Sequence, residues 1–363
     1  MSALVATVLL AGCGSATTSS SAAGSVQVAS ATSATAVGGL SALIAAAKKE
    51  GTLNVIALPP DWANYGAIIS GFTAKYGIKI NSANPTGSSQ DEVNAVKQLN
   101  GTDRAPDVLD IGMAVALANT DLFAPYQVAT WNDIPASQKD SAGVWVQDYG
   151  GYMSIGYDSS KVPAITSVQD LLGPGFKGKV ALNGDPTKAN AALNGVMMAS
   201  LANGGSLDSI ANGVSFFHQL NQAGNFVPVQ ATTATVKNGT TPVVFDWDYL
   251  SSAHGVDVPT WKVFVPSSAV LGGYYAQAIN KSAPHPAAAR LWEEYLYSDA
   301  GQNLWLKGGA RPVRMTAMQT SATIDSAAAA ALPSVSGTPV FLSQAQATAA
   351  SAYLAANWAQ AIG

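Results

Sequence analysis

The sequence predicts an α/β protein of two lobes, each a mostly parallel sheet flanked by helices, with a hinge of two crossing strands. Short apolar runs alternate with amphipathic helical stretches, which is typical of parallel βαβ units. Extended segments at 149–157 and 263–273 interrupt this alternation, which then resumes. The length of 363 residues suits two or three domains. We therefore expect the chain to cross between the lobes at these two segments.

The charge and cysteine content exclude several classes of protein. The chain has 18 Lys and Arg against 22 Asp and Glu, a net charge of −4, whereas nucleic-acid binding needs basic stripes. The single cysteine, Cys13, excludes a disulfide within the chain and a cysteine-rich zinc site. We predict a monomer with no nucleic-acid partner, no metal and no cofactor.

The amino terminus is typical of a targeting segment. Residues 1–12 are apolar, end in small residues and predict a signal peptide. The sequence LAGC at residues 10–13 resembles the bacterial lipobox, so we expect Cys13 to carry a lipid; a buried structural cysteine is the alternative. Residues 13–39, rich in Ser, Thr, Ala and Gly, predict a flexible tether. The protein is then expected outside the cytoplasm, lipid-anchored to the outer face of the cell membrane, or periplasmic.

Hydrophobic spacing predicts the elements of the first lobe. The predicted helices are 40–50, which ends at Gly51, 65–76, which ends at Gly77, and one that begins at the capping-box pattern of 89–92. The 65–76 helix has one apolar face, made of Tyr65, Ile68, Ile69, Phe72 and Tyr76. The predicted strands are 53–58, 78–80 and 106–112.

The second half repeats this alternation. Its predicted strands and extended stretches are 179–182, 242–247, 263–265 and 274–279. Its predicted helices are 187–203, 207–222, 286–298 and 343–360. We assign residues 40–150 and 270–320 to lobe 1 and 151–269 to lobe 2. Residues 321–363 are expected to form a helical segment that packs on one of the lobes.

Motifs for enzyme chemistry are missing. The segment GPGFKGK at 173–179 is close to a phosphate-binding loop, but Val180 stands where Ser or Thr would hold magnesium. The sequence has no Gly-x-Ser-x-Gly nucleophile elbow and no His-Glu-x-x-His metal motif. His218, His254 and His285 are better explained by surface or packing roles. We predict a protein that is not an enzyme; a secreted hydrolase or lyase on the same scaffold is the alternative.

Polar and aromatic residues follow the predicted strands, where ligands collect in open α/β sheets. Each has a structural alternative in the core, a turn or a helix cap. The candidates are Asp61, Trp62 and Tyr65 in one loop, Ser88 and Ser89 in the next, Asp185 and Thr187 in a third, and Asp246, Trp247 and Asp248 in a fourth.

The segment at 246–248 gives the sharpest prediction. Carboxylates are almost never fully buried unless they are paired, yet two of them flank Trp247 directly after an apolar strand. An indole face and carboxylates together suit an ammonium ligand. If the ligand is instead an anion, the helix amino ends near Ser88, Ser89 and Thr187 are the expected contacts.

The chain from about residue 40 to 320 resembles the extracellular solute-binding proteins of ABC importers, in the group with polyamine-, ferric-ion- and phosphonate-binding members. The resemblance runs in order through the sequence. It is carried by LAGC, LIAAAKKEGTLNVIA, FTAKYGIKI, APDVLDIG, LLGPGFKGKVALNGDP, VKNGTTPVVFDWDYL and GGYYAQAINKSAPHPAAARLWEEYLYSDAGQ.

This resemblance implies a type II periplasmic-binding fold, whose two lobes close on one small solute and hand it to membrane permease subunits. Trp247 falls on an aromatic position of the polyamine binders, and Tyr275 stands where they place an aspartate. Ferric binders have adjacent tyrosines near 246–248; this chain has Tyr274 and Tyr275 one strand later. We therefore expect a lipoprotein that captures a small polar, amine-containing, polyamine-like solute, with ferric ion or a phosphonate as alternatives.

Overall fold

The computed structural model describes residues 28–333 and 335–363. The predicted signal peptide, Cys13 and the first half of the predicted tether lie outside the described residues. The first part of the described chain forms α1 (Leu40–Glu50), β1 (Thr52–Ile56), α2 (Tyr65–Tyr76), β2 (Lys79–Ala83), α3 (Ser89–Gln98), β3 (Val108–Gly112), α4 (Met113–Leu117) and β4 (Phe123–Ala124).

The remaining elements follow in two groups. The middle of the chain forms β5 (Val146–Asp158), β6 (Val180–Leu182), α5 (Asn190–Ala202), α6 (Ala211–Gln222), α7 (Thr233–Asn238), β7 (Val243–Trp247), α8 (Asp248–Ala253) and β8 (Trp261–Phe264). The last part forms β9 (Leu271–Asn280), α9 (Pro286–Leu296), α10 (Asp299–Lys307), β10 (Arg311–Pro312), α11 (Met315–Thr320), α12 (Ser326–Ala330), β11 (Val340–Phe341) and α13 (Gln344–Ile362).

Two long strands, β5 and β9, join the lobes: β5 spans the predicted crossing segment 149–157, whereas β9 lies mostly beyond the predicted segment 263–273. The first half of β5 pairs with β9, and its second half pairs with β7 and β8 of lobe 2. Strand β9 pairs along most of its length with β3 and β4 of lobe 1. Side chains from these two strands therefore reach the junction of the lobes. The residue boundaries given above for the lobes are kept as our proposal.

The sheets are mixed, so the prediction of mostly parallel sheets holds only in part. Strand β1 pairs with β2 in parallel, and β6 pairs with β7 in parallel. The crossing strands pair antiparallel with β3, β7 and each other. The reason is that a strand that runs from one lobe into the other is not part of a right-handed βαβ unit, which would have kept it parallel to its neighbours.

Local sequence signals predicted most helix ends to within a few residues of the structure. Gly51 and Gly77 end α1 and α2 in the left-handed conformation, with φ of 71° and 72°. The helices predicted from 187 and 207 begin a few residues later, at Asn190 and Ala211. In the first case the Thr187 amide and hydroxyl both donate to Asp185 Oδ1, which fixes a turn before the helix.

The predicted tether is too long at its carboxyl end. Residues 34–37 form a 3-10 helix capped by Ser33, and Val28 and Ala31 are buried. The buried guanidinium of Arg290 on α9 donates to the backbone oxygens of Ala29 and Ala31. Small residues order here because a buried side chain of the folded domain satisfies their carbonyl groups, which composition alone does not reveal.

We expect Arg290→Met to detach this segment. The substitution keeps an apolar side chain of similar length but leaves the carbonyl oxygens of Ala29 and Ala31 without donors, at a cost of about 3 kcal/mol in the free energy of unfolding. Denaturant unfolding and limited proteolysis near residue 30 measure the two effects. Arg104→Met, at an exposed position, is the matched control. Equal stability of the two variants would contradict this assignment.

The C-terminal helix α13 packs mainly on lobe 2. Trp358 contacts the rings of Phe217 and Phe226, and the His218 ring and Asn221 amide meet the last carbonyl oxygens of the helix, those of Ala361 and Ile362. The helix also packs against α4 of lobe 1. In the described part of the chain, no helix is both long and apolar enough to cross a membrane.

Candidate functional site

A cavity of about 500 Å³ lies between the lobes. Lobe 1 contributes the loops after β1 and β2, the first turn of α3, and side chains of β3. Lobe 2 contributes the loop after β6, the start of α5, the segment before α7, and α8. The middle of β9 contributes Tyr275. This is the junction at which two-lobe α/β proteins hold ligands.

Most of the residues predicted from the sequence line this cavity. The structure brings together Asp61, Trp62, Ser88, Ser89, Asp185, Asp246 and Tyr275. Four predicted residues do not line it: Tyr65, Thr187, Trp247 and Asp248. Tyr274, next to Tyr275, points the other way and packs against Phe341.

The geometry does not support an ammonium cage around Trp247. Its indole is fully buried, stacks on Tyr249 and points its N–H at the Tyr275 hydroxyl, 3.5 Å away. Asp248 accepts from Arg311 at 2.7 Å and from the Tyr152 amide at 3.0 Å, so its charge is already paired. Because β7 ends at Trp247 and α8 begins at Asp248, Asp246 alone of the three faces the cavity.

Ser88, Ser89 and Thr187 also have structural partners. Ser88, not Ser89, is the N-cap of α3, and its partner in the capping box is Asp91. The Ser89 hydroxyl accepts from the Gly112 amide at 2.9 Å and so ties α3 to β3. Thr187 is exposed and bonded to Asp185. The capping box was misplaced by one residue because two consecutive serines fit the same pattern.

Sequence reasoning missed several lining residues, of which two carboxyl groups on lobe 1 matter most. Asp110 lies on β3, and Glu92 lies in the first turn of α3. The others include Asn183, Asn190, Thr233 and His254. A usable signal existed for Asp110: it interrupts the apolar strand sequence VLDIG, as Asp246 interrupts VVFDW. A carboxylate inside an apolar strand needs a partner or a function.

Asp110 is buried without a cation. Its Oδ2 accepts from the Tyr149 hydroxyl at 2.8 Å, and that hydroxyl accepts from the Trp62 indole at 2.7 Å. Its Oδ1 has no hydrogen-bond partner among the described residues. Burial raises the pKa of Asp110 to about 7, although hydrogen bonding by Tyr65, Tyr149 and Asp148 opposes this. The group is therefore poised to ionise near neutral pH.

Asp246 is the corresponding acid on lobe 2. Its oxygens accept from the Asn183 side chain at 2.9 Å and from the Trp247 amide at 2.8 Å. Burial raises its pKa to about 7, and neither hydrogen bond offsets the loss of hydration. As with Asp110, no arginine or lysine among the described residues bonds to it.

Glu92 completes a buried group of three acids at the cavity. Its Oε2 accepts from the Asp110 amide at 3.0 Å. Burial, and the proximity of Asp110, hold the pKa of Glu92 well above its usual range. Like Asp110 and Asp246, this side chain therefore loses more by ionising in the folded protein than it would in water.

Aromatic rings form the wall between the two aspartates. Trp62 meets the edge of Tyr275 with ring centroids 5.7 Å apart, and Tyr149 stacks behind Tyr275 at 5.8 Å. Tyr149 comes from β5 and Tyr275 from β9, so each crossing strand supplies one ring. A ligand in the cavity would meet the faces or edges of Trp62 and Tyr275.

The lobes touch each other at the cavity rim. The Thr233 hydroxyl of lobe 2 donates to Asp61 Oδ2 of lobe 1 at 2.7 Å. Gly112, at the end of β3, packs so closely on Asn190 that an added Cβ would lie 2.4 Å from the Asn190 Cβ. This arrangement of the lobes therefore depends on the small size of Gly112.

The basic residues at the cavity are few and sit near its rim. Lys188 is exposed and lies 3.5 Å from Asp185. Burial lowers the pKa of His254, although Asp61 and Asp257 oppose this effect, so its ring is mostly neutral at pH 7. Neither group reaches the buried acids Asp110 and Asp246 by a hydrogen bond.

The sequence pattern of one protein family matches residues 106–333, more than half of the chain; it is described as bacterial extracellular solute-binding protein. The chain belongs to this family. It is a family of binding proteins rather than of enzymes, and its members work outside the cytoplasm, capturing solutes for ABC import.

Solved structures of periplasmic binding proteins share the fold of this solute-binding protein. A periplasmic thiamin binding protein matches with TM-score 0.67 and 16% identity over 86% of this chain and 96% of that one. AgtB of A. tumefaciens R10, in complex with agropinic acid, matches with 0.66 and 16% over 86% and 98%. A ferric binding protein of Campylobacter jejuni matches with 0.63 and 15% over 85% and 99%. At these identities the likeness establishes the two-lobe fold.

A metal ion finds no ready set of ligands here. Among residues 28–333 and 335–363, no group of three or more His, Cys, Asp or Glu side chains is arranged to hold one. The buried acids at the cavity are spread over both lobes instead. Among the described residues, no arginine or lysine bonds to the buried acids Glu92, Asp110 and Asp246, and this bears on the charge of the ligand.

Proposed function

We propose that this solute-binding protein captures a small cationic solute with at least one amine group, of the polyamine type, and delivers it to an ABC importer. The observation that carries the proposal is the charge of the cavity. Seven carboxyl-bearing residues line it, against one lysine and one histidine: Asp61, Asp91, Glu92, Asp110, Asp185, Asp246 and Asp257.

The two acids that ionise near neutral pH stand on different lobes. Asp110 belongs to β3 and Asp246 to β7, and Tyr275 is close enough to feel both charges. A ligand with two separated positive groups would pair with both and hold the lobes together. The rings of Trp62 and Tyr275 would pack on the apolar part between its charges and add cation–π attraction.

An anionic solute fits this cavity poorly. The amino end of α3 has free N–H groups of the kind that bind phosphate, but Ser88 and Asp91 form its capping box, and Asp91 and Glu92 occupy its first turn. Asp91 lines the cavity beside these N–H groups, so a phosphonate placed there would face a like charge. This argument favours a cation over the phosphonate alternative.

The rest of the proposal follows from the family and the sequence. Permease subunits in the membrane are the partners expected of an ABC solute-binding protein. Cys13 would carry the lipid that keeps the protein on the outer face of the membrane. We propose that the protein works as a monomer, since the cavity is built from one chain.

A ligand screen tests the proposal. We expect 1,4-diaminobutane, spermidine or thiamin, a permanent cation, to raise the melting temperature of the purified protein and to bind saturably in titration calorimetry. Binding should weaken as salt is added, because charge pairing dominates. Methylphosphonate and ferric citrate are the counter-probes. Stabilisation by either of these, with none by any amine, would overturn the proposal.

A further inference from the structure

The amino end of α5 carries buried N–H groups that have no acceptor in the described part of the chain. The helix begins at Asn190, and the residue before it, Ala189, makes no side-chain cap. No oxygen of a described residue accepts from the N–H groups of Asn190, Ala191 and Ala192, although Ala191 and Ala192 are at most 2% exposed. Buried backbone N–H groups almost always have a partner. Because Ala189, Asn190 and Ala191 line the cavity, a ligand can supply it.

The Tyr275 hydroxyl is a second donor at the cavity, on a different element. Tyr275 lies on β9, lines the cavity and is only 6% exposed. Its oxygen accepts from the Trp247 indole at 3.5 Å, and the side-chain amide of Asn190 also lies close to it. Since both neighbours are donors, the hydroxyl still has its own proton to give, and no oxygen of the described residues accepts that proton. This proton is therefore available to an acceptor on a ligand.

These donors lie next to the acids proposed to hold ammonium groups. Asn190 packs on Gly112, two residues after Asp110 on β3, and residues two apart on a strand face the same side. Tyr275 is close enough to feel the charges of both Asp110 and Asp246. The two acids accept their hydrogen bonds from other groups. The cavity therefore presents donors and carboxyl groups side by side that do not bond to each other.

The amino end of α5 differs from that of α3, whose first turn contains two acids. The first turn of α5 contains no acidic residue. Asp185, which precedes the helix, accepts from the amide and hydroxyl of Thr187 and lies 3.5 Å from Lys188. Helix amino ends favour negative charge, and their free N–H groups suit a carboxylate. A carboxylate of the ligand would therefore meet donors at α5, whereas at α3 it would meet Asp91.

We infer that the solute is a diamino acid: its carboxylate binds the amino end of α5 and the Tyr275 hydroxyl, and its two ammonium groups pair with Asp110 and Asp246. Such a molecule is cationic and has two amines, so this inference rests on the proposed function and narrows its substrate class. The carboxylate fits beside the buried acids because the same carbon atom also carries an ammonium group. A simple diamine would leave the donors at α5 without an acceptor.

Calorimetry with two matched solutes tests the inference. Ornithine is 1,4-diaminobutane with one carboxylate added to a terminal carbon atom. We expect the wild type to bind ornithine about 10- to 100-fold more tightly than the diamine, which is the range that hydrogen bonds to a charged group provide. Equal affinities, or tighter binding of the diamine, would overturn the inference and leave the proposed function intact.

Two variants locate the carboxylate. Asn190→Asp keeps the shape of the side chain and its acceptor for Asn194, but places a negative charge at the amino end of α5. We expect the preference for ornithine over the diamine to be lost or reversed, because the new charge repels only the carboxylate. If Asn190→Asp changed both affinities by the same factor, the carboxylate would not lie at α5.

Tyr275→Phe removes only the hydroxyl and keeps the ring. We expect the preference for ornithine over the diamine to fall roughly tenfold, since one hydrogen bond to the carboxylate is lost. Tyr274→Phe is the matched control, because the Tyr274 ring packs on Phe341, away from the cavity. An unchanged preference in Tyr275→Phe would contradict the assignment of this hydroxyl to the carboxylate.

A third solute separates this inference from the proposed function. The zwitterion 2-aminopentanoate keeps the carboxylate and the adjacent ammonium group of ornithine but lacks the second amine. Its binding, with none of the diamine or ornithine, would support the carboxylate site and overturn the cationic solute. Binding of the diamine or thiamin without ornithine would overturn the inference alone, and binding of none of these solutes would overturn both.

Discussion

Asp246→Asn is expected to make the free protein more stable and its ligand complex much weaker. Burial raises the folded-state pKa of Asp246 to about 7, from roughly 3.9 in the unfolded chain. Between these two values the unfolded chain ionises while the folded protein does not, so the free energy of unfolding of the wild type falls as pH rises from 4 to 7. The loss is on the order of 4 kcal/mol at pH 8, and the asparagine variant does not suffer it.

The same substitution, which stabilises the free protein, is expected to weaken ligand binding. Removing one partner of a buried charge pair costs about 2–5 kcal/mol of binding free energy, which is at least a 30-fold loss in affinity for a cationic solute. Denaturant unfolding at pH 5 and pH 8 and calorimetry with 1,4-diaminobutane measure the two effects. Asp121→Asn, at an exposed position outside the cavity, is the matched control. A variant that binds normally would show that Asp246 serves only the fold.

Gly112→Val is expected to hold the lobes apart. Any Cβ at this position would overlap Asn190 across the junction, and valine adds two further carbons. Because Gly112 has φ of −63°, the backbone accepts a side chain, and the strain arises only when the lobes meet. We expect roughly a 5- to 150-fold loss of affinity, since contacts of this kind cost about 1–3 kcal/mol.

Small-angle scattering checks the structural part of this expectation. With saturating ligand, the radius of gyration of the wild type should decrease, as expected for a two-lobe binder that closes, while that of Gly112→Val should not. Gly255→Val is a suitable control, because a Cβ there would meet no atom within 4 Å. If Gly112→Val closed like the wild type, the lobes would not need the contact between Gly112 and Asn190.

The sequence predicted a site role for Asp246 but not for Gly112. Asp246 could be identified from the sequence, because a carboxylate at the end of an apolar strand is rare. The neighbouring Trp247 and Asp248 shared that signal but point elsewhere, since the strand ends and α8 begins between them. One change of backbone direction, between Trp247 and Asp248, thus decides which of these side chains face the cavity. The pattern of residue types does not reveal that change.

The proximity of Asp110 and Asp148 is a second feature that the sequence does not predict. Each is a single acid in a different strand, and their proximity depends on β3 and β5 both pairing with β9. The register aligns Asp110 with Gln277, whose side chain also donates to Asp148. Sequence separation gives no hint of this contact, because antiparallel pairing of distant segments is set by the whole sheet.

The sequence by itself determined the alternation of strands and helices, the helix ends at Gly51 and Gly77, the first crossing segment at 149–157 and the membership of the solute-binding family. These properties follow from local periodicity, from backbone conformations that favour glycine, and from motifs that keep their order along the chain. Only the tertiary structure decided which acids are buried together, that Arg290 holds residues 29–31, and that Gly112 meets Asn190. Those outcomes depend on contacts between segments far apart in the chain, and the charge of a buried group depends on all of its neighbours at once.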